Sequence, residues 1–258
     1  MDRRSFLALA LAALPVSGAR AATPPAWRAR LLAAGLRDGH YRIGLAITLE
    51  PDWKTYWRVP GDGGVPPEIT VTGANLGDVA ISHPLPHRFA TGEGGETIGY
   101  KDEVVFPITV TPKDAGLPLA LRLKAFFGVC KGICIPAEYE ADLVLDPARP
   151  GPDTLTLALW QAKVPEVAAA DQAPVTAARL DPTGARPHLV LTLRKPVADI
   201  FVEAAGEGFF HAPDFAREAG TAWLAIADLK DVNTLKGQTL RITLDDGGQG
   251  LEQSLTIP

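Results

Sequence analysis

In the amino-terminal half of the chain, apolar and polar residues alternate with period two in five short stretches. They are 41–49 (YRIGLAITL), 67–73 (PEITVTG), 103–110 (EVVFPITV), 119–126 (LALRLKAF) and 139–145 (YEADLVL). Alternation sends successive side chains to opposite faces of a strand, so each stretch predicts a strand with one dry and one wet face. A second set of strand-like runs follows at 188–195, 199–205, 222–229, 238–244 and 252–258. Between the two sets lies DPARPGPD (146–153), where three prolines and a glycine can continue neither a strand nor a helix. This is the predicted linker. Only 154–170 (TLTLALWQAKVPEVAAA) reads as a helix, kinked or ended by Pro165. The pattern predicts an all-β chain of two β-sandwich domains, 22–147 and 154–258, with a short helix after the linker.

The first 21 residues follow a different pattern. Arg3 and Arg4 precede an apolar run from Phe6 to Val16, and Ala19-Arg20-Ala21 supplies a small-x-small cleavage site. The run is shorter than the roughly 20 residues a membrane span needs, so residues 1–21 are expected to be an export signal peptide. RRSFL suits a twin-arginine leader and a general secretory leader equally, which leaves the route open. No later stretch is long and apolar enough to insert in a bilayer, and no direct membrane insertion is expected. Net charge is −5, and removing three arginines and one aspartate with the leader takes it to −7. That balance argues against a nucleic-acid partner. The 23 prolines and 25 glycines fit many short strands joined by turns.

Both cysteines of the 258 residues lie in VCKGICIP, as Cys130 and Cys134. Arg122 and Lys124 mark the wet face of one strand, and Glu140 and Asp142 that of the next, so the chain reverses between them. A three-residue loop, Lys131-Gly132-Ile133, would set the cysteines opposite one another, at the roughly 4.5–5.5 Å Cα spacing of paired strands, within reach of a disulfide. So small a loop removes little unfolded-state entropy, less than the ~3 kcal/mol of a 15-residue loop, and a chain of this size has a core without it. Lys131 beside Cys130 would favour a thiolate, and Gly132 leaves a partner room to approach. A redox pair, a metal clip and an inert structural bridge all remain open on these residues alone.

Four further segments narrow the choice. WKTYWRVPGDGGVPPEI (53–69), HPLPHRF (83–89), GYKDEVVFPITV (99–110) and VCKGICIPAEYEADL (129–143) together resemble the amino-terminal periplasmic domain of DsbD-type thiol:disulfide interchange proteins, most of all the ScsB-like branch. DIFVEAAGEGFFHAPDF (199–215) resembles the second sandwich of that branch. The resemblance implies immunoglobulin-like folds and a periplasmic protein-disulfide reductase. It would pass electrons by dithiol–disulfide exchange, without a cofactor or resident metal, between the thioredoxin-like domain of a membrane-bound reductase and oxidised periplasmic thiol proteins. Cys130 and Cys134 map to the two active-site cysteines, with Cys134 the one attacked. The family also shields its disulfide with an aromatic cap, for which 87–100 offers Phe89 or Tyr100. Tyr56, Trp57 and Lys131 are the remaining candidates for cap or partner contact. Tyr56 and Trp57 alternate faces, so at most one points at the cysteines.

Other chemistry has weaker support. GEGGETIG lacks the Gly-Lys-Ser/Thr of a phosphate loop, and no Gly-x-Ser-x-Gly marks a hydrolase nucleophile. The alternatives are Cu(I) delivery, since two thiolates suit a soft metal, and a binding module with an inert disulfide.

Overall fold

The computed structural model describes residues 25–92, 95–206 and 208–258, so the leader lies outside the described residues. Ten strands come first: β1 (Trp27–Arg37), β2 (His40–Leu49), β3 (Lys54–Gly61), β4 (Glu68–Ala74), β5 (Leu76–Ile81), β6 (His87–Ala90), β7 (Glu96–Lys101), β8 (Glu103–Pro112), β9 (Leu119–Lys131) and β10 (Ile133–Leu145). A helix, α1 (Thr154–Gln161), follows the proline segment. Eight strands complete the chain: β11 (Glu166–Val167), β12 (Val175–Asp181), β13 (His188–Leu193), β14 (Asp199–Glu203), β15 (Phe209–Asp214), β16 (Thr221–Ala227), β17 (Thr239–Asp245) and β18 (Gly250–Thr256). The described residues are all-β apart from short helical segments, and their strands form two domains.

In the first domain a four-stranded sheet, ordered β1-β2-β8-β5, faces a larger sheet ordered β10-β9-β3-β7-β6, with β4 also paired to β9. The inward residues of both sheets form one core, including Tyr41, Ile43, Leu45, Trp57, Phe106, Leu121, Leu123 and Phe127. Strand β9 shows why: Leu119, Leu121, Leu123, Ala125, Phe127 and Val129 are buried, whereas Ala120, Arg122 and Lys124 face water. The second domain sets β11-β18-β17-β14 against β12-β13-β16-β15. Its own core draws Ile200, Leu240, Ile242 and Leu244 from the first of these sheets and Leu189, Leu191, Leu224 and Ile226 from the second.

The proline segment is pinned to the first domain. Asp153 accepts a hydrogen bond from the Ala33 amide at 3.0 Å and pairs with Arg30, while Gly151 lies so close to β1 that a Cβ there would collide with the Ala33 carbonyl. Helix α1 then lays Leu157 on Leu32, Ala34, Ala46 and Val105, on the outer face of the first sheet. It ends at Gln161, well before the 170 that the sequence pattern allowed, with Pro165 beyond it.

The two domains meet through aromatic and charged contacts. Phe201 and Phe209 join the first domain's core, Phe201 edge-on to Trp57 at 5.7 Å. Arg58 stacks on Trp57 and donates to Glu203 at 2.8 and 2.6 Å and to Glu252 at 3.0 Å. Arg88 bonds Glu96 of its own domain, and Asp199 and the Ile200 carbonyl of the other. These arginines are mostly buried, where charge-assisted bonds count for more than on an open surface.

Candidate redox site

Strands β9 and β10 form one long hairpin in unbroken register, from Leu119 opposite Leu145 to Lys131 opposite Ile133. Gly132 turns the corner with φ +74°, a left-handed conformation that costs glycine no Cβ clash. Cys130 and Cys134 are therefore directly opposed, Cα atoms 4.1 Å apart, and joined as a disulfide. By parity both sulfurs lie on the outer face of the larger sheet, the face of Arg122 and Lys124. Yet Cys130 is only 3% exposed, whereas Cys134 on edge strand β10 is open to solvent, as is Ile133 at 68%.

Tyr56 covers the inner sulfur. Its hydroxyl lies 2.8 Å from Cys130 Sγ and 3.3 Å from Cys134 Sγ. The ring is held by close approach on two sides: a Cβ at Gly64 would meet it at 2.5 Å, and one at Gly128 at 3.2 Å. Burial pushes the Tyr56 hydroxyl above its usual range, so it stays protonated and able to donate. The neighbouring Thr55 points the other way and bonds the Gly128 carbonyl, tying β3 to β9 beneath the site.

The other sequence candidates separate. Trp57, one residue on from Tyr56, turns into the core and against Phe201, away from the sulfurs. Tyr100 is also buried; it donates to the Pro84 carbonyl and packs on Phe106, so it cannot cap the disulfide. Phe89 lies on the outer face, its ring 4.7 Å from Lys101 Nζ and 5.9 Å from Lys54 Nζ. Lys131 departs from expectation: its ammonium reaches away to Asp52 at 2.9 Å and the Pro51 carbonyl at 3.2 Å, because consecutive strand residues point to opposite faces. Its charge is already matched by a carboxylate.

The lysine whose backbone lies opposite Cys130 is Lys54, which is paired across strands with both Cys130 and Lys101. Its ammonium donates to Thr97 Oγ1 at 2.6 Å, and burial, then the charge of Lys101, holds its pKa below the usual lysine range. The period-two rule puts Lys54 and Tyr56 on one face, which is the signal that could have singled out this lysine in WKTYWR. Among the described residues no three His, Cys, Asp or Glu side chains cluster as metal ligands, and no helix is long and apolar enough to cross a membrane.

Similarity to known proteins points the same way. Residues 21–146 match the family model of the N-terminal domain of thiol:disulfide interchange protein DsbD, and residues 163–258 match a model described as a domain of unknown function. The N-terminal periplasmic domain of ScsB from Proteus mirabilis is 26% identical, with a TM-score of 0.70, over 92% of this chain and 96% of that one. The DsbD N-terminal domain of Neisseria meningitidis, in its reduced form, is 17% identical over 47% of this chain and 86% of that one, at a TM-score of 0.28. No curated protein matches. The amino-terminal domain thus resembles the DsbD N-terminal family and matches the ScsB periplasmic domain, and it bears a disulfide whose setting is consistent with thiol–disulfide exchange.

Proposed function

We propose that this chain, with its DsbD-type amino-terminal domain, is a periplasmic thiol:disulfide interchange protein. In this reading both domains are immunoglobulin-like, with residues 22–147 carrying the exchange chemistry and residues 154–258 a supporting sandwich. Cys130 and Cys134 are the exchanging residues. Electrons come from a thioredoxin-like domain of a membrane-bound reductase and pass to oxidised periplasmic thiol proteins.

The observation that carries the reading is the asymmetry of the two sulfurs. An incoming thiolate must approach one sulfur in line with the bond it breaks. Cys134 stands open on edge strand β10, and Cys130 is covered by Tyr56. Attack therefore falls on Cys134: a bond forms between the incoming sulfur and Cys134 Sγ, the Cys130–Cys134 bond breaks, and Cys130 departs with the electron pair as a thiolate. A second thiolate of the partner then attacks its own sulfur in the mixed disulfide, and Cys134 leaves reduced. Pro136 on β10 has no amide to donate, which leaves that edge unable to pair fully with a neighbouring strand.

Trapping tests this polarity. With a thioredoxin-like protein that lacks its second cysteine and carries its remaining one activated as a disulfide with a small aromatic thiol, Cys130→Ser is expected to expel that small thiol and accumulate a mixed disulfide through Cys134, and Cys134→Ser to accumulate little. Equal trapping by both variants would remove the assigned polarity. Trapping by neither, with the fold intact, would favour an inert disulfide.

A further inference from the structure

Lys54 and Lys101 stand directly opposite each other across β3 and β7, and like charges so placed repel. Neither lies within salt-bridge distance of a carboxylate among the described residues. Asp52, close in sequence to Lys54, is bonded to Lys131 and feels Lys101 only at longer range. What holds the two ammonium groups is the Phe89 ring, which both approach, and Thr97 Oγ1, to which Lys54 donates. Phe89 thus shelters a pair of cations. On the other side of Lys54, its cross-strand partner is Cys130, whose neighbours on this face are Tyr56 and Cys134.

We infer that Lys54, supported by Lys101, is the residue that receives the negative charge on Cys130 when the disulfide is opened. The inference rests on the exchange reading above and assigns within it the group that stabilises the leaving sulfur. In the disulfide there is no anion beside Cys130, and the Lys54 ammonium rests on Thr97. When a thiol reductant attacks Cys134, the electron pair of the broken bond moves to Cys130 Sγ. The long, flexible lysine side chain can then swing from Thr97 to its cross-strand neighbour, while the Tyr56 hydroxyl donates from the other side. The like-charge pair disfavours the oxidised state slightly and the thiolate relieves it. A lower leaving-group pKa speeds departure, so the same two lysines would raise both the rate of reduction and the reduction potential.

The test uses the full chain in a Cys134→Ser background, where Cys130 is the only thiol, and follows its thiolate by ultraviolet absorbance against pH. Lys54→Met is expected to raise the Cys130 pKa by about one unit, a roughly tenfold loss of thiolate at a given lower pH, and Lys54→Arg to restore most of it. With both cysteines present, Lys54→Met should be reduced by dithiothreitol severalfold more slowly, and its potential should fall by up to about 30 mV, the two-electron equivalent of a tenfold loss of thiolate stability. Superimposable titrations with the natural lysine and with Lys54→Met would overturn the inference, and so would an equal shift for Lys54→Arg and Lys54→Met. Thiolate titration needs no protein partner. A chain that fails to exchange with thioredoxin-like proteins yet shows the Lys54 shift would lose the exchange reading and keep this one.

Discussion

At the residue scale, the site depends on side chains that put a donor or a cation beside one sulfur and leave the other exposed. Tyr56→Phe removes the hydroxyl 2.8 Å from Cys130 Sγ while keeping the ring between Gly64 and Gly128. A hydrogen bond to a charged sulfur is worth about 1.5–3 kcal/mol, so the variant is expected to raise the Cys130 thiolate pKa by at least about one unit with little loss of stability. Thiolate absorbance and a denaturant midpoint check the two halves of that statement. His83 gives a separate pH prediction. Its ring packs on Phe106, and burial, then Arg58 and Arg241, lower its pKa to about 4. Because the folded pKa lies below the unfolded one, the native state disfavours the proton. Its contribution is intact above about pH 6.5 and is lost as pH falls towards about 4, by at most on the order of 3 kcal/mol. Unfolding midpoints across that range should fall for the natural chain and fall less for His83→Gln. The cysteines were legible in the sequence, and so was the rule that Tyr56 and Trp57 take opposite faces. The partner of Lys131 was not, since Asp52 approaches it from a loop distant in sequence.

At the element scale, legibility followed regular alternation. Strands β2, β4 and β8 match their sequence patterns closely, whereas β9 and β10 run on to the cysteines past the limits of 126 and 139. The reason is that AFFGVC reads as an apolar run: of its outward residues, Gly128 is covered by Val65 and Tyr56 and Cys130 by Tyr56, so neither position need be polar. Strand β3 was legible only at Tyr56 and Trp57, and its pairing with β7 jumps between Tyr56 and Gly61; β1 was not read as a strand, and its pairing with β2 shifts between Ala33 and Leu36. The jump in β3 has a use, since the intervening Trp57 and Arg58 are what reach the second domain. The 62–67 loop makes a prediction of its own. A methyl at Gly64 would sit 2.5 Å from the Tyr56 ring and 2.9 Å from Pro60. Gly64→Ala is expected to cost about 1–3 kcal/mol by overpacking and to disturb the Tyr56–Cys130 contact. Chemical denaturation and the rate of reduction by dithiothreitol should both change. An unaltered reduction rate would mean that the loop does not hold the tyrosine in place.

At the scale of the whole molecule, the second domain has no cysteine but closes one side of the first domain's core with Phe201 and Phe209 and fixes Arg58 and Arg88. The sequence showed two sets of strands and a break between them; it could not show that residues so far apart share a core. Arg58→Ala leaves Glu203 and Glu252, among the described residues, with the half-exposed Arg241 alone as a cationic partner and is expected to cost about 2–3 kcal/mol, read as a lower denaturation midpoint of the intact chain. Residues 22–147 expressed alone should lose stability through the uncovered Trp57 surface and through the face of the first sheet that Leu157 covers, yet keep exchange with a small dithiol, because the cysteine hairpin, Tyr56 and Lys54 all lie within that segment. If the fragment folds and exchange disappears, the second domain belongs to the site. The central claim is that Cys130–Cys134 is a working disulfide, and its reduction potential tests this most directly. Equilibration of the full chain with a thioredoxin-like protein of known potential should place the pair above about −300 mV, within reach of cellular dithiols. A value below about −300 mV, in the range of inert structural bridges, would contradict it.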